Sequence, residues 1–538
     1  MDSLSSLINY ASVDPDRGTY NPGQTVTLRV QIGAAKALSL EVECEIFRGL
    51  ELVGRQTRLW DIAAGISHTA FTFNGSQTAP AGYGVEIKIR SVLEGQGSIT
   101  CETAFDVLND WTEFPRYGFL CDFKPERRNP EETIKILNHF HLNGLQFYDW
   151  QYRHDSLVPP QDEFTDPLGR PLSLRSTREL IDAAHKYGIK AMPYLAIYAA
   201  SAPFWHAHPE MALYDESHQL IPFGEEFLGI MNPVSGGKWS KHLLAECSHV
   251  LKALPFDGLH IDQYGDPKTG LDDQGSSVDL PKAFADFIGE ARNEHPEVPI
   301  LFNAVGNWPI ESLAKAPVSF NYIEIWPPKT TYQDVAEIVR NARRLSGEKP
   351  VVIALYLPAD RSINNRLADA VIFSAGGSRI ELGENGRLLS DPYFPKHEEI
   401  DIELSERLRR QTELVIRYES WLSPIVPESP QPEIKGPEGI AYFFRSVEKG
   451  FSLSMVNLNS SETLHWNEPH PNPEKIQDFS LDIHLNERVR KVWLVSPDRE
   501  SLVPEILQFD QAGGNLKVAI PSLEVWNILL IETENGQD

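Results

Sequence analysis

Residues 117–150 read YGFLCDFKPERRNPEETIKILNHFHLNGLQFYDW. A short apolar run (117–123) passes through a charged, Pro-containing turn into a stretch (131–142) whose apolar residues recur three and four apart. A second apolar run (145–150) follows. Short apolar runs bounded by turn residues read as buried strands, and the three-to-four spacing reads as a helix with one apolar face. Strand, helix and strand at this spacing predict a βαβ unit with parallel strands.

Outward from this unit the alternation continues to about residue 425. Further strand-like runs are IKAMPYLAIY (189–198), DGLHIDQYG (257–265), PILFNAV (299–305), NYIEIW (321–326), PVVIALYL (350–357) and SRIELGE (378–384). That makes eight. Helical periodicity fills 177–187, 239–254, 280–295 and 332–345, and a longer helix is expected at about 399–421. Eight strands alternating with helices predict a (β/α)8 TIM barrel.

Either side of it the pattern has period two. TVTLRVQI (25–32), LSLEVECEIF (38–47), TAFTF (69–73), GVEIKIRSVL (84–93) and SITCETAFDVL (98–108) predict an N-terminal immunoglobulin-like β-sandwich. After the Pro-rich stretch SPIVPESPQPEIKGPEG (423–439), six more runs between 440 and 532 predict a C-terminal antiparallel β-sandwich. The expected layout is a sandwich over 1–110, a catalytic barrel over 111–425 and a sandwich over 426–538, a multidomain α/β and β protein.

The chain of 538 residues carries 76 Asp+Glu against 49 Lys+Arg, a net charge of −27. With no basic run, this disfavours a nucleic-acid partner. No stretch of about 18 apolar residues predicts a membrane span. The amino terminus lacks the basic start and apolar core of a secretory signal, so the sequence as given reads as cytoplasmic, or as secreted if a signal was trimmed. Four cysteines without CxxC spacing are expected as reduced, mostly buried thiols, although Cys44 and Cys101 share one strand-rich segment. Oligomeric state is not legible.

In such barrels the chemistry sits at the carboxyl ends of the strands. The residues there are Asp122, Asp149 with Trp150, Tyr194, His260 with Asp262 and Gln263, Asn303, Tyr322 with Glu324 and Trp326, and Glu381. Five of the eight strands end in a carboxylate, where branched aliphatics are the ordinary filling. Acids among aromatics, with few lysines, suit an uncharged polyhydroxyl ligand: Trp and Tyr faces take sugar C–H faces, and acids and amides take hydroxyls. Nothing resembles a phosphate cradle or a nucleophile elbow.

Cleaving a glycosidic bond needs one protonated and one ionised carboxyl. Asp262 and Glu324 are the expected pair. The shorter Asp, set among hydrogen bonds, suits the ionised nucleophile, and the Glu beside Tyr322 and Trp326 suits a raised pKa and the acid role. Asp257, at the opposite end of its strand, reads as structural. A divalent-metal hydrolase assembled from His260, Asp262, His154 and Glu324 is an alternative, but no further histidine at a strand end completes a ligand set, so neither metal nor cofactor is expected.

At these residues the sequence resembles glycoside hydrolase family 66, the dextranases and cycloisomaltooligosaccharide glucanotransferases. The resemblance runs through RYGFLCDF, LQFYDWQYRHD, FDGLHIDQYGDP, NAVGNW, YIEIWPPKTTYQDV and AVIFSAGGSRIELGENGRLLSDPYFP to VWLVSPD and LEVWNILLIE. It implies the sandwich–barrel–sandwich order and retaining action on α-1,6-linked glucan. It further implies Asp262 as nucleophile, Glu324 as acid/base and Asp149 as an acid of the substrate site, with oligo- or polysaccharide as the partner. The expected activity is dextranase-like hydrolysis. Cycloisomaltooligosaccharide synthesis or other transglycosylation at the same site is the alternative, and a non-catalytic sugar-binding protein is the remaining one. No inserted carbohydrate-binding module is visible within the barrel, which tilts the expectation toward hydrolysis. Residues expected to hold substrate are Asp122, Asp149, Trp150, His154, Tyr194, His260, Gln263, Asn303, Tyr322, Trp326 and Glu381.

Overall fold

The computed structural model describes residues 3–74, 78–92, 97–422, 426–459 and 463–534. The start of the Pro-rich linker, with the expected boundary at 425, lies outside the described residues. Eight parallel strands run in ring order: β1 (Tyr117–Leu120), β2 (Gly144–Phe147), β3 (Lys190–Ala196), β4 (Leu259–Asp262), β5 (Ile300–Val305), β6 (Asn321–Glu324), β7 (Val351–Ala354) and β8 (Ser378–Ile380). β8 pairs with β7 on one side. Two residues later the same chain pairs with β1 through Gly383 and Phe119, which brings the last strand round to the first. A Cβ on Gly383 would stand 2.3 Å from the Phe119 carbonyl oxygen, so only glycine allows this approach.

Alternate residues of each strand point inward. Tyr117, Phe119, Met192, Leu301, Phe320, Val352, Ala354 and Ile380 fill the barrel interior as one apolar cluster. The outer faces pack on the helices. Those following β2, β3, β4 and β6 (Leu174–Lys186, Lys238–Ala253, Leu280–Glu294 and Tyr332–Ser346) lie where the periodicity placed them. The helix after β5 is a single turn, Ile310–Leu313. Ser362–Ala375, which the periodicity did not single out, is buried along nearly its whole circumference, between the barrel and the C-terminal strands. A helix without a polar face shows no amphipathic period.

Seven N-terminal strands form a three-stranded and a four-stranded antiparallel sheet around a shared core that includes Val30, Ile32, Val42 and Ile87. Two of them went unread in the sequence. Ile8–Pro15 is one, and Glu51–Ile62 is an edge strand whose side chains are mostly solvent-facing, so no apolar alternation marks it. Cys44 and Cys101 sit on strands flanking a common neighbour, each opposite Ile87. Two strand spacings, about 9–10 Å, exceed the reach of a disulfide. Both thiols are free, and burial pushes each up to about 12.

Nine C-terminal strands form a four-stranded and a five-stranded sheet around Leu453, Leu481, Val492 and Val518. Charged contacts tie both the N-terminal and the C-terminal sheets to the barrel. Arg417, at the end of helix Ile402–Arg417, donates to Glu86 at 2.6 Å, and Arg366 donates to Asp498 and Glu524 at 2.9 and 2.8 Å. Among the described residues no helix is long and apolar enough to cross a membrane.

Candidate active site

The carboxyl ends of β2 to β7 open into a cavity of about 380 Å³. Asp262 closes β4, Glu324 closes β6, and Asn303 lies on β5 between them. Period two points all three inward, one layer above His260 and Tyr322. The Asn303 amide nitrogen donates to Asp262 Oδ1 at 2.8 Å and to Glu324 Oε2 at 2.9 Å. One nitrogen therefore bridges the two carboxyl groups, and their nearest oxygens can be no farther apart than two hydrogen bonds.

The remaining oxygens are also held. The backbone N–H of Gln263 donates to Asp262 Oδ1 at 2.8 Å, and the Tyr194 hydroxyl donates to Oδ2 at 3.0 Å. The Tyr356 hydroxyl donates to Glu324 Oε1 at 2.8 Å, and Trp326 lines the cavity with the same carboxylate. Burial raises the pKa of both acids. At Asp262 the charge of Glu324 adds to it, against the donors just named, and brings the value to about 7. Here the structure departs from the expectation that only the glutamate would be raised: both carboxyls share one desolvated floor, and the pair titrates as a unit.

His260 is buried beneath the acids, its Nδ1 hydrogen-bonded to the Tyr117 hydroxyl at 3.0 Å, and desolvation lowers its pKa to about 3. It is a neutral ring in a layer with Tyr194 and Tyr322. On the β2 side, Asp149 has φ 54 and accepts from Arg170 at 3.1 Å. Burial raises it to about 6 against the pull of Arg170. His154 stands beside Gln151 and is lowered to about 4 by burial. Gln263 lines the cavity but spends its amide on backbone, donating to the Trp308 carbonyl of the loop after β5 and accepting from Gly265 N–H of its own loop. Among the described residues no group of three or more His, Cys, Asp or Glu is arranged to hold a metal ion.

Three expected substrate residues lie elsewhere. Asp122 follows the inward Cys121, so its side chain turns outward to Lys124 at 3.0 Å, half in solvent. Trp150 is displaced by the left-handed turn at Asp149. It is fully buried, donates to the Tyr194 carbonyl at 3.2 Å and packs edge-on against Phe256. Glu381 follows the inward Ile380 and points outside the barrel, where Arg379 donates to it and to Asp369 at 2.9 and 3.2 Å. None of the three lines the cavity. The other eight do, and so do side chains that the strand-end reading passed over, among them Gln146, Tyr148, Gln151, Tyr198, Arg170's partner Asp166, and Tyr356. Tyr148 and Tyr356 extend the inward parity of β2 and β7 by one step, a signal the sequence does carry.

The family model for glycosyl hydrolase family 66 matches residues 15–530. The chain belongs to glycosyl hydrolase family 66. Two cycloisomaltooligosaccharide glucanotransferases of Niallia circulans are 29% and 27% identical, over 64% and 75% of this chain. The chain spans only 37% and 44% of their lengths. A dextranase of Streptococcus salivarius is 21% identical over 90% of this chain and 72% of its own length. Among solved structures, a Paenibacillus cycloisomaltooligosaccharide glucanotransferase in complex with cycloisomaltoheptaose shares the fold with a TM-score of 0.89. That likeness covers 97% of this chain and all of the other at 20% identity.

Proposed function

We propose that this family 66 enzyme cleaves α-1,6-glucosidic bonds of dextran or isomaltooligosaccharides with retention, by double displacement. The observation that carries the reading is the Asn303 bridge. Two bonds of 2.8 and 2.9 Å from one amide nitrogen, one along each N–H, place the two bonded carboxyl oxygens about 5 Å apart, in the range of retaining pairs and short of the roughly 6.5–9.5 Å of inverting ones.

Near neutrality the coupled pair holds one proton, which is the state the first step needs. Asp262 takes the charge: it is the less buried of the two and has a backbone N–H that cannot turn away. Glu324 takes the proton, more deeply buried and beside Trp326 in the lining. Asp262 Oδ attacks the anomeric carbon, the glycosidic C–O bond breaks, and the Glu324 proton goes to the leaving oxygen. Esterification removes the charge of Asp262. Glu324, now ionised, accepts a proton from water as the water oxygen attacks the same carbon and releases the Asp262 carboxylate.

The test is product analysis on dextran and on isomaltooligosaccharides, with the first-formed anomer read by NMR. Reducing sugar appearing first as the α-anomer supports the reading, and the β-anomer or no release at all refutes it. A second reading, favoured by the two Niallia relatives, keeps the site and replaces water with a sugar hydroxyl. Cyclic or lengthened products would select it.

A further inference from the structure

The cavity has two unlike halves. The wall beside β2 and β3 has a buried polar floor, where Gln146 Oε1 and Gln151 Oε1 accept no hydrogen bond among the described residues and Asp149 joins them in the lining, below a rim that carries the exposed Leu168 and Phe227. The opposite wall, past Glu324 toward β7, is aromatic and open. Its ring is Trp326, 38% exposed and tilted against Tyr356 at 6.0 Å. Buried acceptors without donors call for hydroxyls, whereas an exposed indole offers an apolar face. In the retaining sequence proposed above, the sugar esterified to Asp262 lies toward β3, from which Tyr194 reaches that acid. The leaving group departs on the side of the proton donor.

Resting on that proposed function, we infer that Trp326 is the platform for the leaving sugar and, afterwards, for the incoming acceptor, and that it thereby sets the partition of the glycosyl-enzyme between water and sugar. In the second step the acceptor oxygen bonds to the anomeric carbon, the ester C–O bond to Asp262 breaks, and the acceptor's hydroxyl proton moves to Glu324. Water and a glucose 6-hydroxyl use the same atoms and the same base. Only a sugar gains from a ring to lie against, so the ring raises transfer relative to hydrolysis without entering the chemistry.

Trp326 also holds the Glu324 pKa down, so stacking and acid tuning must be separated. Two variants do this. Trp326→Ala removes both the ring and the N–H, while Trp326→Phe keeps a ring and loses the N–H. An α-isomaltosyl fluoride donor is mixed with increasing isomaltotriose, and transfer and hydrolysis products are counted at each acceptor concentration. The expected result is a transfer-to-hydrolysis ratio about tenfold lower in the alanine variant and close to wild type in the phenylalanine variant. Both variants should show a displaced alkaline limb in the pH profile. An unchanged ratio in Trp326→Ala, or an equal loss in both variants, overturns the inference while leaving the hydrolytic reading intact. A wild-type enzyme that consumes no α-1,6-linked donor overturns both.

Discussion

Replacing Asn303 by leucine tests the geometry on which the mechanism rests. The side chain makes two hydrogen bonds, at 2.8 and 2.9 Å, both from its amide nitrogen to the catalytic acids, and its Oδ1 accepts none among the described residues. Leucine matches its shape, so little beyond those two bonds is lost. A hydrogen bond to a charged group is worth about 1.5–3 kcal/mol. One carboxylate is charged in the reacting state, so its loss raises the pair's pKa values by about one to two units and lowers kcat/KM by about 10- to 100-fold. Initial rates on dextran from pH 4 to 9, with a thermal melt of each protein, read both effects. The sign follows from the chemistry: an absent donor disfavours the anionic forms, so both limbs of the bell move to higher pH. A variant with rates within threefold of wild type and an unmoved acid limb would refute the reasoning.

Other outcomes follow from the same contacts. Glu324→Gln should lose nearly all activity on dextran yet keep reacting with a glucosyl fluoride, whose leaving group needs no acid. Its pH profile should lose the alkaline limb near 7 that belongs to the pair. Asp262→Asn should melt higher than wild type at pH 8 and equally at pH 3.5. The folded pair keeps its last proton up to about 7, well above where a free aspartate loses its own, so the cost of a second charge on that floor is absent at low pH and grows to a few kcal/mol as pH rises through that window. Arg379→Met should destabilise by about 3–5 kcal/mol, because it strands Asp369 and Glu381 in the protein interior. Glu381→Gln should keep kcat on dextran, since that carboxyl faces away from the cavity; a large loss there would restore it to the site.

The barrel was legible because its strands are short apolar runs and most of its helices have a polar face, two periods that cannot be confused. Ser362–Ala375 and Glu51–Ile62 were not: one is buried all round and the other exposed nearly all round, and amphipathic pattern vanishes at both extremes. Within the site, Asp262, Asn303 and Glu324 end adjacent strands on the inward parity, so a sequence reading reaches them. Asp122 and Glu381 are strand-end acids on the outward parity. Each is one residue out of step with an inward neighbour, Cys121 or Ile380. Trp150 has the inward parity and still fails, because Asp149 leaves the extended conformation. Arg170 reaches Asp149 from a hairpin, Glu163–Thr165 with Pro171–Ser173, about twenty residues downstream, and no local pattern announces that contact.

Of the 76 acids, most lie on surface that water solvates freely, and the net charge says little about them individually. Asp262 and Glu324 differ by one circumstance, a shared floor walled by Tyr194, Tyr198, Tyr322 and Tyr356. Those rings exclude water from the carboxyls, and that exclusion raises both pKa values until the pair keeps a proton near neutrality. The same rings present flat apolar faces to a ligand. Burial that would be a defect in a structural salt bridge therefore produces the protonation state and the sugar-binding surface together. Replacing Tyr198, which among the described residues donates to neither acid, by a small polar residue must then weaken both at once, lowering the alkaline limb as it raises KM.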